Sequence, residues 1–402
     1  MPVLLLAAHR GGRTSVKAFA LVCVLLLVSA AFAAATPPGP EAGQVRLVKD
    51  GGSGFDRFTS EPTPELQRFM RERYSRMVVF SPYFDQRLSW YPDGWAYKDL
   101  YGMFPDSGVT NKHPEWILRG KAGENLYVPF DCWGTGCPQY AGDITNPSFR
   151  RAWIRNARAM VRRGYKGLYI DDVNMIRRVG DGTGREVTPF SPRTRKPISK
   201  RKWRRAVARF TRQIRRALPR AELVHNVIWF SPRPRDRVSR MQIRSADVIG
   251  LERGVNDAGL TAGGGPWGLN TYLRYVDWLH AQGRPVLFDE NAPSLVERDY
   301  GLAGYFLINN GRDFLASEPH SSPDANWRAY AVRLGAPRGR RYSWQGLLRR
   351  DFANGVVLLN RPGGAPRTVT IRPALASGQQ GQPPASEVTL GAANGAVLVR
   401  PR

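Results

Sequence analysis

The chain has 402 residues, 42% of them hydrophobic, and carries 60 Lys and Arg against 33 Asp and Glu, a formal net charge of +27. This exceeds one ordinary domain and supplies enough apolar residues for a large core, which excludes a disordered or fibrous chain. Three cysteines and five histidines, none spaced like a metal box, give no reason to expect a metal or other cofactor.

Residues 1–35 have the order of a secretory signal: a basic start with Arg10, Arg13 and Lys17, an apolar run from Ala18, and small residues at Ala33, Ala34 and Ala35. Cleavage after Ala35 predicts a secreted or cell-surface protein. If the segment is not cleaved, it is close enough to spanning length to anchor the chain in a membrane. Cys23 follows Val22 rather than a small residue, which argues against a lipoprotein. Residues 36–60 are rich in Pro, Gly and Ser without periodicity and read as a linker.

From 61 to 338, short apolar runs alternate with helical patterns, as a (β/α)8 TIM barrel requires. Strand candidates begin near 77, 116, 126, 167, 223, 247, 285 and 304; the second and third are ambiguous, because 89–104 could supply a strand instead. The helix before the fourth strand is well marked, with Asn146 as cap, Pro147 in the first turn, an apolar stripe through Phe149, Trp153, Ala157 and Met160, and Gly164 as stop. Further helices are predicted at about 200–218, 269–282 and 325–334. From Lys200 to Arg220 there are ten basic residues and no acid. Trp203, Val207, Phe210, Ile214 and Leu218 recur beneath them at helical spacing, so the plain reading is an amphipathic helix with a solvated basic face. The alternative is a surface for an anionic polysaccharide. Nucleic acid is not expected, since no recognition motif accompanies the charge.

Cys132 and Cys137 lie in DCWGTGCP and read as a local disulfide in an exported protein. Residues 339–402 change to short β-branched runs, with Asn354-Gly355 and Asn394-Gly395 as hairpin signals, and predict a small antiparallel β-sandwich.

In a barrel of this kind, polar residues that end the strands face a common bowl. Asp171 and Asp172 end one apolar run, Glu252 another, and Asp289 and Glu290 a third; His225, Asn226, Asn309 and Asn310 add hydrogen-bonding groups. Acetal hydrolysis needs one carboxylate at the anomeric carbon and a second, protonated carboxyl for the leaving oxygen. Asp171 is assigned as nucleophile or charge stabiliser, expected to be held ionised by hydrogen bonds. Glu252, with a raised pKa, is assigned as acid and base, and Asp172, Asp289 and Glu290 are secondary candidates. Flat rings stack on sugar faces. Trp90, Tyr91, Trp95 and Tyr97 form the densest aromatic cluster, with Trp133, Trp229 and Trp267 in other loops.

The segment DITNPSFRRAW at 143–153, followed by GYKGLYIDDV at 164–173, resembles the run into the fourth strand of glycoside hydrolases of the amylase-like barrel group. HPEWIL at 113–118, GLERG at 250–254 and NGVVLLN at 354–360 fit the same resemblance, which is nearest to the hypothetical glycosyl hydrolase family fifteen and takes in most of 75–400. It implies a poly- or oligosaccharide substrate, a catalytic aspartate at Asp171, an acid at Glu252 and a retaining mechanism. Asp172 stands where many relatives have another polar residue, which leaves the choice between the two neighbours open. A carbohydrate-binding barrel without catalysis is the competing reading. A serine hydrolase is disfavoured because GGSGF at 51–55 lacks the final glycine of the nucleophile elbow.

Overall fold

A computed structural model describes residues 39–51, 53–105, 107–132, 136–230, 235–290, 292–318, 323, 327–378 and 383–401. The signal segment at 1–35 and Trp133 lie outside the described residues.

Eight parallel strands run in chain order around one sheet: β1 (Val48–Asp50), β2 (Arg76–Val79), β3 (Gly94–Asp99), β4 (Gly167–Asp171), β5 (Glu222–Asn226), β6 (Val248–Glu252), β7 (Val286–Asp289) and β8 (Phe314–Ala316). A parallel bridge from Leu47 to Leu315 joins the first strand to the last and closes the barrel. Every strand turns apolar side chains to the axis, giving an interior of Val48, Val78, Trp95, Tyr169, Val224, Val248, Leu287, Phe314 and Ala316. This packed plug leaves only the ends of the barrel for chemistry. The helices outside it are α1 (Ser53–Ser60), α2 (Pro64–Arg73), α3 (Pro147–Arg163), α4 (Lys200–Ala217), α5 (Arg237–Ile243), α6 (Leu269–Ala281) and α7 (Leu295–Ile308). Asn146 caps α3 by accepting from the Ser148 amide, and Gly164 ends it at φ 115°, a left-handed turn that glycine makes without a side-chain clash. The chain then enters β4 after two intervening residues.

Three of the eight strand assignments change, and the linker reading with them. The stretch 36–60, read as linker, contains β1 and α1, so the barrel begins before residue 61. The runs near 116 and 126 form small ladders with each other and with 140–142, in the excursion between β3 and α3, and β3 comes from the 89–104 segment. An apolar run announces a buried strand but not the sheet it joins. The run at 304–308 is the last turn of α7, whose residues from Tyr300 to Ile308 are all buried, so the helix has no polar face to betray its period. β8 is the short Phe314–Ala316. Of the helix expected at 325–334, a 3-10 turn at Arg328–Ala331 is present among the described residues.

The C-terminal region is one antiparallel sheet of β9 (Tyr342–Trp344), β10 (Leu347–Phe352), β11 (Gly355–Leu359), β12 (Arg367–Ser377), β13 (Ala385–Leu390) and β14 (Gly395–Val399), in the order β9-β10-β11-β14-β12-β13. The long β12 pairs with β13 along one stretch and with β14 along another, folding the sheet over its own core of Leu347, Val356, Leu358, Val369, Ile371 and Leu398. The hairpin expected at Asn354-Gly355 forms one residue earlier, with Ala353-Asn354 as the turn, because Phe352 pairs with Gly355. Asn394-Gly395 does not: β14 pairs with β11 and β12, not with the preceding β13.

Candidate active site

The C-terminal ends of β3 to β6 surround a cavity of about 460 Å³ whose lining includes Tyr97, Asp99, Asp171, Asp172, Asn226 and Glu252. Asp171 is the last residue of β4, Asn226 the last of β5 and Glu252 the last of β6, so the strand order alone sets the amide between the two carboxylates. Asn226 Nδ2 donates to Asp171 Oδ1 at 2.9 Å and to Glu252 Oε1 at 2.7 Å. Two bonds to one nitrogen cap the separation of those oxygens at the sum of their lengths. Asp171 also accepts from the Tyr97 hydroxyl at 2.6 Å and from the Asp172 amide at 2.7 Å.

Glu252 is exposed to the bowl yet walled by protein. Burial of the carboxyl and the neighbouring Asp171 raise its pKa, against the opposing Asn226 hydrogen bond. Asp172 turns at φ 52°, which brings it into the same cavity as the residue before it. It accepts from Asn174 Nδ2 at 2.7 Å and faces Arg178 at 3.8 Å. Asp99 accepts from the Tyr101 amide and hydrogen-bonds Asp172; burial and then the Asp171 charge push it up to about 7. Burial, then the Asp99 and Asp171 charges, push Asp172 well above the ordinary carboxylate range. The site thus has one hydrogen-bonded carboxyl acceptor, one carboxyl of raised pKa across from it, and two further aspartates of raised pKa beside them.

One wall is aromatic. Trp267, 42% exposed, stacks on Phe230 with ring centroids 4.0 Å apart and meets Trp229 edge-on at 5.5 Å; Phe130, 67% exposed, lines the cavity from the loop after β3. Asp257 and Arg253 also line it.

Other residues singled out in the sequence are elsewhere. Neither Asp289 nor Glu290 lines the cavity. Asp289 is buried at the end of β7, hydrogen-bonded to Asp50 and pushed well up by burial. Glu290 lies under the turn that follows Glu252, accepting from the Val255 amide at 3.3 Å and from Asn256 Nδ2 at 2.8 Å. Trp90 packs against Phe84, and Tyr91 is buried with its hydroxyl donating to the Tyr74 carbonyl. Trp95 points to the axis from the start of β3 and donates to Glu222 at the start of β5, which places it at the opposite end of the barrel from the cavity. His225 alternates to the outside of β5 against Gln242, and burial pushes its imidazole down to about 3. Asn309 and Asn310 follow a helix rather than a strand: Asn309 donates to the Ala42 and Gln44 carbonyls, and Asn310 sits in the turn before β8. Asp99, Arg178, Asp257 and Phe130 were missed. The legible signal for Asp99 was its position at the end of GWAYKD, once that run is taken as the third strand.

Cys132 and Cys137 are joined in a disulfide. Among the described residues no group of three or more His, Cys, Asp or Glu is arranged to hold a metal ion, and no helix is long and apolar enough to cross a membrane.

Residues 71–248 match the model of hypothetical glycosyl hydrolase family 15, which bears out the resemblance carried by the run into β4. The match spans Asp171 and Asn226 and stops four residues short of Glu252, rather than continuing to residue 400. The match covers less than half of the chain. The chain is also similar to the glycoside hydrolase domain of PelA from Pseudomonas aeruginosa, at 16% identity over 69% of this chain and 96% of that one, with a TM-score of 0.42. It is similar to the cyclic alpha-maltosyl-(1-->6)-maltose hydrolase of Arthrobacter globiformis, at 13% identity over 90% and 99% with a TM-score of 0.42. A third similar structure is TtGalA, an alpha-galactosidase from Thermus thermophilus, at 16% identity over 78% and 66% with a TM-score of 0.44. No curated protein matches the chain.

Proposed function

We infer that this chain is an exported glycoside hydrolase in which Asp171 and Glu252 cleave a glycosidic bond with retention of configuration. The observation that carries the reading is the single Asn226 amide bonded to both carboxylates inside one cavity. Retaining enzymes hold their carboxyls about 5 to 5.5 Å apart, whereas inverting enzymes leave about 6.5 to 9.5 Å for a water. A shared nitrogen supports the shorter class.

In the first step Asp171 attacks the anomeric carbon while Glu252 gives its proton to the departing glycosidic oxygen. The bond to the leaving sugar breaks and an ester to Asp171 forms. In the second step Glu252, now a base, takes a proton from water, whose oxygen displaces Asp171 and restores both groups. Glu252 is suited to the first step because its raised pKa keeps the proton available, and Asp171 because Tyr97, Asn226 and the Asp172 amide orient it. Trp267 and Phe130 offer faces for sugar rings. Export is supported by the order of residues 1–35 and by the Cys132–Cys137 disulfide.

The test is substitution, assayed on a polysaccharide panel and on aryl glycosides. Asp171→Ala is expected to abolish turnover on both. Glu252→Ala is expected to keep activity on aryl glycosides whose leaving group needs no proton, with azide accelerating it and yielding a glycosyl azide of retained configuration. Near-wild-type activity in either variant on the polysaccharide would remove these carboxylates from the mechanism, and an inverted azide product would overturn retention.

A further inference from the structure

We propose that the groove between α4 and α5 is a second carbohydrate site, which holds a linear polysaccharide bearing carboxylates. Arg204 of α4 bonds Asp236 at 2.8 Å and Ser239 at 2.9 Å, tying the two helices side by side. Beyond that contact they open into a groove of about 600 Å³ lined by Arg212, Arg215, Arg216, Arg237, Arg240 and Arg244 over Met241 and Ser245, with no acid in the lining.

Arg215 is neutralised by Asp247 at 3.0 Å. The other five are exposed and make no ion pair among the described residues. Arg212 and Arg216 are one helical turn apart, as are Arg240 and Arg244, and like charges at that spacing destabilise a helix. Two facing rows of unneutralised guanidinium groups therefore carry a cost that a bound polyanion would offset. Successive turns repeat about every 5.4 Å along each helix, so the rows suit a chain with regularly repeated anions. The planar guanidinium fork matches a carboxylate in two hydrogen bonds. No aromatic side chain lines the groove, which disfavours single-stranded nucleic acid, whose bases need a stacking platform. The choice of a glycan rests on the hydrolase reading, but binding in the groove does not need catalysis.

The experiment measures binding of polygalacturonate to the full chain by calorimetry. Because the whole protein is basic, the triple variant R212Q/R240Q/R244Q is compared with R151Q/R155Q/R162Q, which removes equal charge from the exposed face of α3. The groove variant is expected to bind about tenfold more weakly, from three exposed charge contacts, and the α3 variant to bind like the parent. Neutral dextran should not bind, and single-stranded DNA of equal charge should bind more weakly than the uronan. Equal weakening in both variants would show diffuse attraction and overturn the site; DNA binding as tight as the uronan would overturn the ligand class. Failure of the hydrolase reading would appear separately, as intact groove binding with no hydrolysis of any glycan.

Discussion

Asn226 holds the spacing on which the proposed mechanism depends. Both of its amide hydrogens are committed to the two carboxylates, and its Oδ1 is buried without a partner, so the side chain has no alternative set of bonds that would release either acid. Asn226→Ala is expected to lower kcat about 10²-fold through misplacement of the acids, with KM changed much less. It also has a signature that a merely structural loss lacks. Glu252 must be protonated to act, so activity falls as pH rises through its pKa, and the Asn226 bond is one of the influences holding that value down. Without the amide, the basic limb of the pH profile should move to higher pH; an unmoved limb would mean that Glu252 is not the titrating acid. Asp171 and Glu252 were legible in the sequence because each closes an apolar run, which is where a barrel turns its side chains into the bowl, and Asn226 as a hydrogen-bonding group near the fifth strand. Asp99 was not, because the apolar runs near 116 and 126 competed for the place of β3. His225 shows the limit of the rule: one residue before a strand end, alternation sends the side chain to the other face.

At the scale of elements, two supports around the cavity can be weakened without touching the proposed chemistry. Glu290 braces the turn after β6 from below, and a Cβ added at Gly254 in that turn would lie 2.1 Å from its Oε1. Burial pushes the Glu290 carboxyl up to about 8. Between the ordinary glutamate value and about 8 the folded state binds more protons than the unfolded chain, so this residue makes stability fall as pH rises through that window. Glu290→Gln should therefore lose more Tm against the parent at about pH 5 than at about pH 8.5; a deficit that grows with pH would contradict the buried, protonated carboxyl. The disulfide closes a short loop between Phe130 and the ladder at 140–141, and opening it by Cys137→Ser should cost about 2 kcal/mol, leave the fold intact and lower affinity for long substrates. A variant that fails to fold would show that the bridge holds more than its own loop. The outer helices were readable because their stripes, caps and stops agree, as in α3 and α4. The failures lie where burial on both sides erases the pattern, as in α7, or where a strand has only three residues, as in β1 and β8.

On the scale of the whole molecule, the barrel and the C-terminal sheet are not separable modules, although the change in sequence texture near 339 marks where one gives way to the other. The helix α7 is buried between them. Its Gly301 faces Glu290, while a Cβ at Gly395 of β14 would come within 2.5 Å of the Ala303 Cβ and 3.1 Å of the Asp299 carbonyl. That approach requires glycine and explains why the Asn394-Gly395 pair serves docking rather than a hairpin. Arg350 of β10 reaches the end of the same helix, where its Nη1 donates to the Phe306 carbonyl at 2.8 Å and the Asn309 carbonyl at 2.9 Å. A cation at a helix C-terminus satisfies carbonyls that have no partner within the helix and complements the helix dipole. Asn309 in turn donates to the carbonyls of Ala42 and Gln44, which lead into β1. A continuous path of buried bonds thus runs from the C-terminal sheet through α7 to the closing strand of the barrel. Arg350→Met keeps much of the volume but strips the donors from buried carbonyls, and is expected to cost about 2–4 kcal/mol. The loss should appear as a lower Tm of one shared transition, since a sheet wired to the barrel in this way cannot melt and leave α7 in place. Calorimetry that resolves two transitions in the parent, with only the upper or only the lower moved by Arg350→Met, would show instead that the sheet is an independent folding unit.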